Sequence, residues 1–451
     1  MGKRKAARQK GRAGAGRLRG EDRSRAAAPR DALEALAELP RVDALEDVPA
    51  FGDLRADEAQ VEAFRAYAAG FGEAPADAGC ALAADAGADD VAGGGVTATD
   101  AGDAVAPDPD SGAAAASLNH LRMGCVVRLD RGFPLVVTNG LTLRAEHDVS
   151  FAKQGRAGGF GTGADEARVL PAVGDWVAVR CDPGHDMGVI ERVLPRRTVF
   201  ERWRGRSRGE RQVLAANLDA VLIVQPLGAG RDAPSLVRDR IARSLVLVND
   251  AGARPVVVLT KADRCDPAEL LATIADVRAL AGEGAPVIAT SAVDGSGLDE
   301  VRACVPAGTV AMILGESGAG KSTLLNMLLG HDALQTGDVR ERDDAGRHTT
   351  VARMMVSLPG PCGVIADAPG LRSLPLVGHE RGLARTFPDV VRAARGCRFS
   401  DCTHTHEPGC AVTKAVVEGQ IEEVRVQAFL ALANEMRVSA QSLDPDVHLE
   451  R

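Results

Sequence analysis

The run Gly315-Glu316-Ser317-Gly318-Ala319-Gly320-Lys321-Ser322-Thr323 follows the spacing G-x-x-x-x-G-K-[ST] and lies between two apolar runs, VAMIL and LLNMLL. The chemistry this spacing serves is phosphate binding. Its glycines let backbone N–H groups turn inward around a polyphosphate, and a helix starting at the lysine adds its positive dipole end. Lys321 is expected to reach the β- and γ-phosphates as a catalytic group, and the Ser322 hydroxyl to ligate Mg²⁺.

A phosphate loop does not choose a base. Thr260-Lys261-Ala262-Asp263 closes the apolar run PVVVL and matches [NT]-K-x-D. A carboxylate at Asp263 accepts two hydrogen bonds, from guanine N1–H and the 2-amino group. Adenine would leave it buried and unpaired. The Lys261 stem is expected to cover the base. Thr290-Ser291-Ala292 ends the run PVIA and fits a loop whose backbone N–H contacts guanine O6. Thr260 stands where Asn is usual. The longer Asn amide ties this loop to the phosphate loop, so a weaker tie is expected here.

Asp367-Ala368-Pro369-Gly370 fits D-x-x-G, in which the Asp holds Mg²⁺ through water and the Gly N–H senses the γ-phosphate. His348-Thr349-Thr350 lies between this run and the phosphate loop. One of its two threonines is expected to ligate Mg²⁺, and Thr350 is the one assigned. Leu371 occupies the position where many GTPases place a water-orienting glutamine. Another group must then position the attacking water, and intrinsic turnover is expected to be low. His348 is one candidate for that catalytic role; contact with RNA is its other reading. The order along the chain is 260–263, 290–292, 315–323, 348–350, 367–370. The base-reading loops therefore precede the phosphate loop, the reverse of ordinary small GTPases. A circular permutation preserves the sheet, because domain termini often lie close together.

A further cluster is Cys397, Cys402, His404 and Cys410, spaced C-x4-C-x-H-x5-C. Three thiolates and one imidazole suit tetrahedral zinc, one ion per chain, with His406 as a spare ligand. The other six of the nine cysteines are scattered, which fits a reducing compartment rather than a disulfide framework.

These residues need elements to hold them. MGCVVRLD, FPLVVTNG, LTLRAEH, VGDWVAVRC and MGVIERVL are short β-rich runs that predict a small five-stranded barrel over 119–200. An Arg-rich linker is expected over 201–213. From 214 to 378 strands alternate with helices, predicting a parallel sheet covered on both faces. Residues 379–451 are read as a zinc-binding and helical domain. Residues 1–30 carry a net charge of +9 and residues 31–118 one of −16. The whole extension 1–118 is expected to be disordered, with short helices at 31–39 and 57–68 and a linker at 72–115. No apolar run approaches the roughly 20 residues that span a bilayer, and the basic start lacks an apolar stretch. A cytoplasmic, monomeric protein without a membrane partner is expected. Aromatic residues are 3% of the chain, so any nucleic-acid contact is expected to rest on phosphates rather than base stacking.

From about residue 119 to 435 the chain resembles the small-ribosomal-subunit biogenesis GTPases. The runs that carry the resemblance are VGDWV (173–177), AANLD (215–219), LTKAD (259–263), TSA (290–292), GESGAGKSTL (315–324), GRHTT (346–350), DAPG (367–370) and CRFSDCTHTHEPGCAV (397–412). The resemblance implies an OB-fold, a circularly permuted P-loop GTPase α/β domain and a C-terminal zinc-binding domain. It also implies binding to the small ribosomal subunit and its rRNA late in maturation, with GTP hydrolysed to GDP under ribosome stimulation. The alternatives are an RNA-assembly factor whose nucleotide site is mainly structural, and a P-loop ATPase, against which the TKAD run argues.

Overall fold

Five strands, β1 (Leu121–Asp130), β2 (Phe133–Thr138), β3 (Leu141–His147), β4 (Trp176–Arg180) and β5 (Met187–Val193), close into a barrel. Their order is β1-β2-β3-β5-β4, and β4 returns to pair antiparallel with β1, from Cys125↔Trp176 to Leu121↔Arg180. These are the five runs the sequence marks as strands. Alternation gives each strand two apolar faces. Val126, Val136, Val177, Val179 and Ile190 form one buried cluster. Met123, Cys125, Trp176 and Ala178, on the opposite face, join a larger core. The structure is a computed structural model that describes residues 45–70, 120–130, 133–148, 170–182, 184–204, 210–228, 234–332, 353–367, 376 and 378–443. All of them belong to one unit, Arg41–Arg451.

Residues 45–70 pack on that larger core. Helix α1 (Glu58–Ala69) opens at Asp57, whose carboxylate accepts from Gln60 N while the Gln60 side chain accepts from Asp57 N. This reciprocal cap satisfies N–H groups that a helix start leaves without partners. Val61, Phe64 and Ala68 form one buried stripe. Ahead of the helix, Phe51 meets Trp176 edge-on at 5.6 Å. The expected disorder of 1–118 therefore does not hold for 45–70, where the helix expected at 57–68 forms. The Ala- and Asp-rich composition of the extension hides one short stretch with enough large apolar side chains to cover a sheet face. The basic tail, the 31–39 helix and the 72–115 linker lie outside the described residues.

The described parts of the expected Arg-rich linker, 201–204 and 210–213, are strand. β6 (Val199–Arg204) and β7 (Glu210–Ala216) pair antiparallel from Val199↔Ala216 to Arg204↔Glu210. Phe200, Leu214, Ala215 and Ala216 are buried at the base of this hairpin.

The nucleotide sheet contains β8 (Ala220–Pro226), β9 (Arg254–Thr260), β10 (Val287–Ala289), β11 (Val310–Leu314), β12 (Arg353–Ser357) and β13 (Val364–Asp367). Its order is β10-β9-β8-β11-β13-β12, parallel except for β12. Helices α2 (Pro234–Ala251) and α3 (Pro267–Ala281) share a core with Val221, Ile223, Val257, Leu259 and Met312. On the other face α4 (Leu298–Ala303) and α5 (Lys321–Leu329) pack on Leu222, Val224, Val256, Val258 and Ile313. Strands buried on both faces read as continuous apolar runs, as VLIV and PVVVL do. β12 also pairs with β1, Arg128↔Met354 and Leu129↔Arg353, so barrel and nucleotide sheet form one sheet of eleven strands.

Polar side chains from VGDWV and AANLD make the joint. Asp175, fully buried, accepts from Arg196 Nε at 2.7 Å, Arg196 Nη2 at 2.6 Å and Ala172 N at 2.7 Å. Asn217 sits in left-handed backbone, φ 57°. Its Nδ2 donates to Gly174 O, and its Oδ1 accepts from Arg197 N and Gln60 Nε2. Asp219 accepts from Val310 N at the start of β11. Barrel, α1 and the strand leading to the phosphate loop thus meet within three residues of one another.

Helices α6 (Glu380–Thr386), α7 (Pro388–Ala394), α8 (Ala411–Val417) and α9 (Glu423–Leu443) complete the chain. Buried Arg425 on α9 forms a bidentate pair with Asp389 on α7, at 2.6 and 2.7 Å, and donates to Leu280 O at the end of α3. It fixes this region to the nucleotide domain. No helix among the described residues is long and apolar enough to cross a membrane.

Candidate functional site

Ligands of open parallel sheets bind beyond the carboxyl ends of the strands. Four sequence motifs converge there. Gly315–Thr323 follows β11, Thr260 closes β9 with Lys261–Asp263 just after it, Thr290–Ala292 follows β10, and Asp367 is the last residue of β13. Because β11 lies between β8 and β13, the phosphate loop has the base-reading loops on one side and Asp367 on the other.

The phosphate loop depends on its glycines. Gly318 and Gly320 have φ 78° and 90°, a region that L side chains rarely adopt. Gly320 is the N-cap of α5, and Lys321 its first residue. Lys321 Nζ donates to Gly315 O at 2.8 Å and Glu316 O at 2.7 Å, so the ammonium stays with the loop. Ser322 and Thr323 follow in the first turn of the helix, where free N–H groups point outward from the helix start.

The base-reading loop is tied directly to the phosphate loop. The Thr260 hydroxyl, buried at 6% exposure, donates to Ala319 O at 2.7 Å. Lys261, in left-handed backbone at φ 62°, donates from Nζ to Gly318 O at 2.9 Å. The tie expected at this position is formed by threonine, through its hydroxyl to a backbone carbonyl of the phosphate loop. Gly320 packs beside Thr260, and a Cβ there would make only an ordinary 3.4 Å contact with Thr260 Oγ1; what calls for glycine is its φ of 90°. Asp263 lies in the short turn Ala262–Arg264 that follows. Ala262 N donates to Thr290 O at 3.0 Å, and Thr290 N to Leu259 O at 2.7 Å, which joins the second base-reading loop to the first. Ser291 is buried, and its hydroxyl accepts from Val293 N, holding the turn that carries Ala292. His348, Thr349, Thr350, Gly370 and Leu371 lie outside the described residues.

The second site is the cysteine cluster. One ligand atom from each of Cys397, Cys402, His404 and Cys410 lies within 4.8 Å of all the others. Cys397 Sγ is 3.9 Å from Cys410 Sγ, and His404 Nδ1 is 3.5 and 3.6 Å from these two sulfurs. A tetrahedral zinc ion at ordinary bond lengths sets S···S at about 3.8 Å and S···N at about 3.6 Å. The donor set and spacing fit that ion. His406 is not in the cluster; its Nδ1 meets Thr405 Oγ1. His404 reaches the sulfurs because it adopts φ 61°. Glu407, which the spacing alone does not single out, holds that conformation. Its carboxylate accepts from the Thr403 hydroxyl and from the N–H groups of Thr403, Thr405 and His406. These donations, the Thr403 hydroxyl's foremost, hold its carboxyl well below the usual carboxylate range.

Comparisons with known proteins follow the same lines. A family profile described as RsgA GTPase matches residues 193–377. The chain is 43% identical over 313 residues to the small ribosomal subunit biogenesis GTPase RsgA of Streptomyces coelicolor, a match covering 69% of this chain and 80% of that relative. It is 40% identical over 282 residues to the protein of the same name in Methanosarcina acetivorans, covering 62% and 73%. The crystal structure of YjeQ from Thermotoga maritima superimposes with a TM-score of 0.52 at 24% identity, over 70% of this chain and 99% of that one. This last likeness is one of fold.

Proposed function

We propose, from the premise that the chain belongs to the RsgA GTPase family, that it hydrolyses GTP to GDP and phosphate while bound to the maturing small ribosomal subunit in the cytoplasm. The observation that carries this reading is the pair of bonds from Thr260 and Lys261 to the phosphate loop. They place Asp263 and Lys321 on two loops held as one body, the arrangement that a guanine base and its triphosphate need together. Within that site Gly315 to Thr323, Thr260 to Asp263, Thr290 to Ala292, Asp367 and Gly370 hold the nucleotide. Ser322 and Thr350 ligate Mg²⁺, which neutralises charge on the β- and γ-phosphates when bound. His348 positions the attacking water. Cys397, Cys402, His404 and Cys410 hold one structural zinc. The domain limits that go with this reading are 119–200 for the barrel, 214–378 for the nucleotide domain and 379–451 for the zinc-binding region, with the hairpin between the first two.

Cosedimentation with small ribosomal subunits, in GTP, GDP and a non-hydrolysable analogue, tests the partner. Retention is expected to be highest with the analogue, to fall steeply with salt as phosphate contacts are lost, and to accompany faster hydrolysis. Equal retention in all three nucleotides with unchanged turnover overturns the reading. Base choice has its own test. Asp263→Asn is expected to weaken GTP binding at least about a hundredfold, because two charge-assisted hydrogen bonds to the base are replaced by a mismatch. The same variant gains affinity for xanthosine triphosphate, whose 2-oxo group accepts from the new amide. A titration showing unchanged GTP affinity removes Asp263 from the base site.

A further inference from the structure

Glu316 is an acid in a loop whose ligand is a polyphosphate. Its carbonyl is central to that loop, accepting from Ala319 N at 3.2 Å and from Lys321 Nζ at 2.7 Å. Its carboxylate leaves the loop for helix α2, where Arg240 Nε lies 3.3 Å from Glu316 Oε1. The two side chains are 33% and 48% exposed, Arg240 the more covered. An ion pair so open to water contributes little to folding. Its consequence lies in its place, on the residue whose carbonyl holds the phosphate-binding lysine.

Helix α2 is a firm mount for that arginine. Val237, Ile241, Leu245 and Val248 recur at helical spacing and are buried. Three arginines leave the helix for acids on three different elements. Arg238 reaches Asp276 of α3 at 4.0 Å, Arg243 pairs with Glu435 of α9, and Arg240 reaches Glu316. The first two pairs join helix to helix. The third joins a helix to the phosphate loop. With no cation at 240, the Glu316 carboxylate would stand in that loop as an uncompensated charge of the same sign as the ligand.

We propose that Arg240 is a positioning residue for the nucleotide, holding and neutralising the Glu316 carboxylate so that the phosphate loop accepts the triphosphate. The proposal rests on the GTPase reading above and extends it to a helix outside the nucleotide loops. One like charge a few ångströms from a ligand, in a setting between bulk water and protein surface, weakens binding by about tenfold. The repulsion grows with the charge of the ligand, so it falls harder on GTP than on GDP. It is also screened, because the Debye length shrinks from about 10 Å at 0.1 M salt to about 3 Å at 1 M. A purely structural role for Arg240 has neither of these dependences.

The test uses the full chain and three variants. Arg240→Ala removes the cation. Arg240→Lys keeps a charge at the same place. The double variant Arg240→Ala, Glu316→Gln removes both charges. Affinities for a non-hydrolysable GTP analogue and for a fluorescent GDP are measured against wild type at about 0.1 M and 1 M salt, with Tm beside them. At the lower salt Arg240→Ala is expected to bind the analogue about tenfold more weakly than wild type and GDP about threefold more weakly, and the ratio to wild type is expected to close at the higher salt. Arg240→Lys and the double variant are each expected to recover most of the affinity. Wild-type affinity for the analogue in Arg240→Ala overturns the proposal. So does a loss that persists in the double variant or is equal at both salt concentrations, which marks a merely structural role. Failure of the GTPase reading looks different: the wild-type chain itself binds neither nucleotide, and the proposal falls with it.

Discussion

Turnover in a Lys321→Ala variant is expected to fall by at least about a thousandfold, the upper range for removing one preorganised electrostatic partner of a transition state. Lys321 is the single cation within Gly315–Thr323. It is the first residue of α5, and its ammonium is kept with the loop by the carbonyls of Gly315 and Glu316. In the variant, Gly315–Thr323 itself offers no cation to meet the charge that builds on the transferring phosphoryl group. Alanine is a good helix former, so the fold of the loop and helix is expected to survive. Single-turnover hydrolysis, read beside Tm, separates the two effects. A variant that keeps its Tm and hydrolyses GTP within about tenfold of wild type removes this lysine from the chemistry.

Metal removal is expected to have the other large effect, and in a different part of the molecule. The wild-type chain is expected to carry about one zinc, and Cys402→Ser to lose it, since three ligands hold a structural ion far more weakly than four. Cys410 is both a cluster member and the N-cap of α8, its sulfur accepting from Thr413 N. Val412 and Ala415 of that helix sit in the core beside Phe387 and Val390. Loss of the ion is therefore expected to open the segment 397–417 to protease and leave nucleotide affinity near that of wild type. Elemental analysis and limited proteolysis read both outcomes. A zinc-free wild-type chain that resists protease in this segment ends the zinc assignment.

The two sites were legible in the sequence to different depths. The phosphate loop and the cysteine cluster are local strings in which spacing is itself the chemistry, so both could be read without a fold. The tie from Thr260 could not. Side-chain length suggests a looser contact than asparagine makes, but contact depends on how closely two backbones pass, and Ala319, fifty-nine residues away, brings its carbonyl within 2.7 Å of the Thr260 hydroxyl. Glu407 escaped notice for a similar reason, because an acidic residue becomes the centre of a loop only when four donors fold around it. β12 is a run of only five residues, RMMVS, and is held by partners on both sides, β13 and β1. The contacts of Asp47 carry no local signal either: its partners Ser357 and His331 lie some three hundred positions later in the chain.

The placing of β12 bears on how the protein can be cut. A strand at the margin of a sheet offers unpaired N–H and C=O groups along its outer side, and these recruit strands from other molecules. On one side β12 has β13. On the other, Arg353 and Met354 are taken by β1, and Ser357 N by Asp47. The barrel and the segment 45–57 thus act as a guard on the open margin of the nucleotide sheet. A nucleotide-binding fragment freed of both would present β12 bare, and its first fault would be self-association through that strand, with its guanine and phosphate loops still intact.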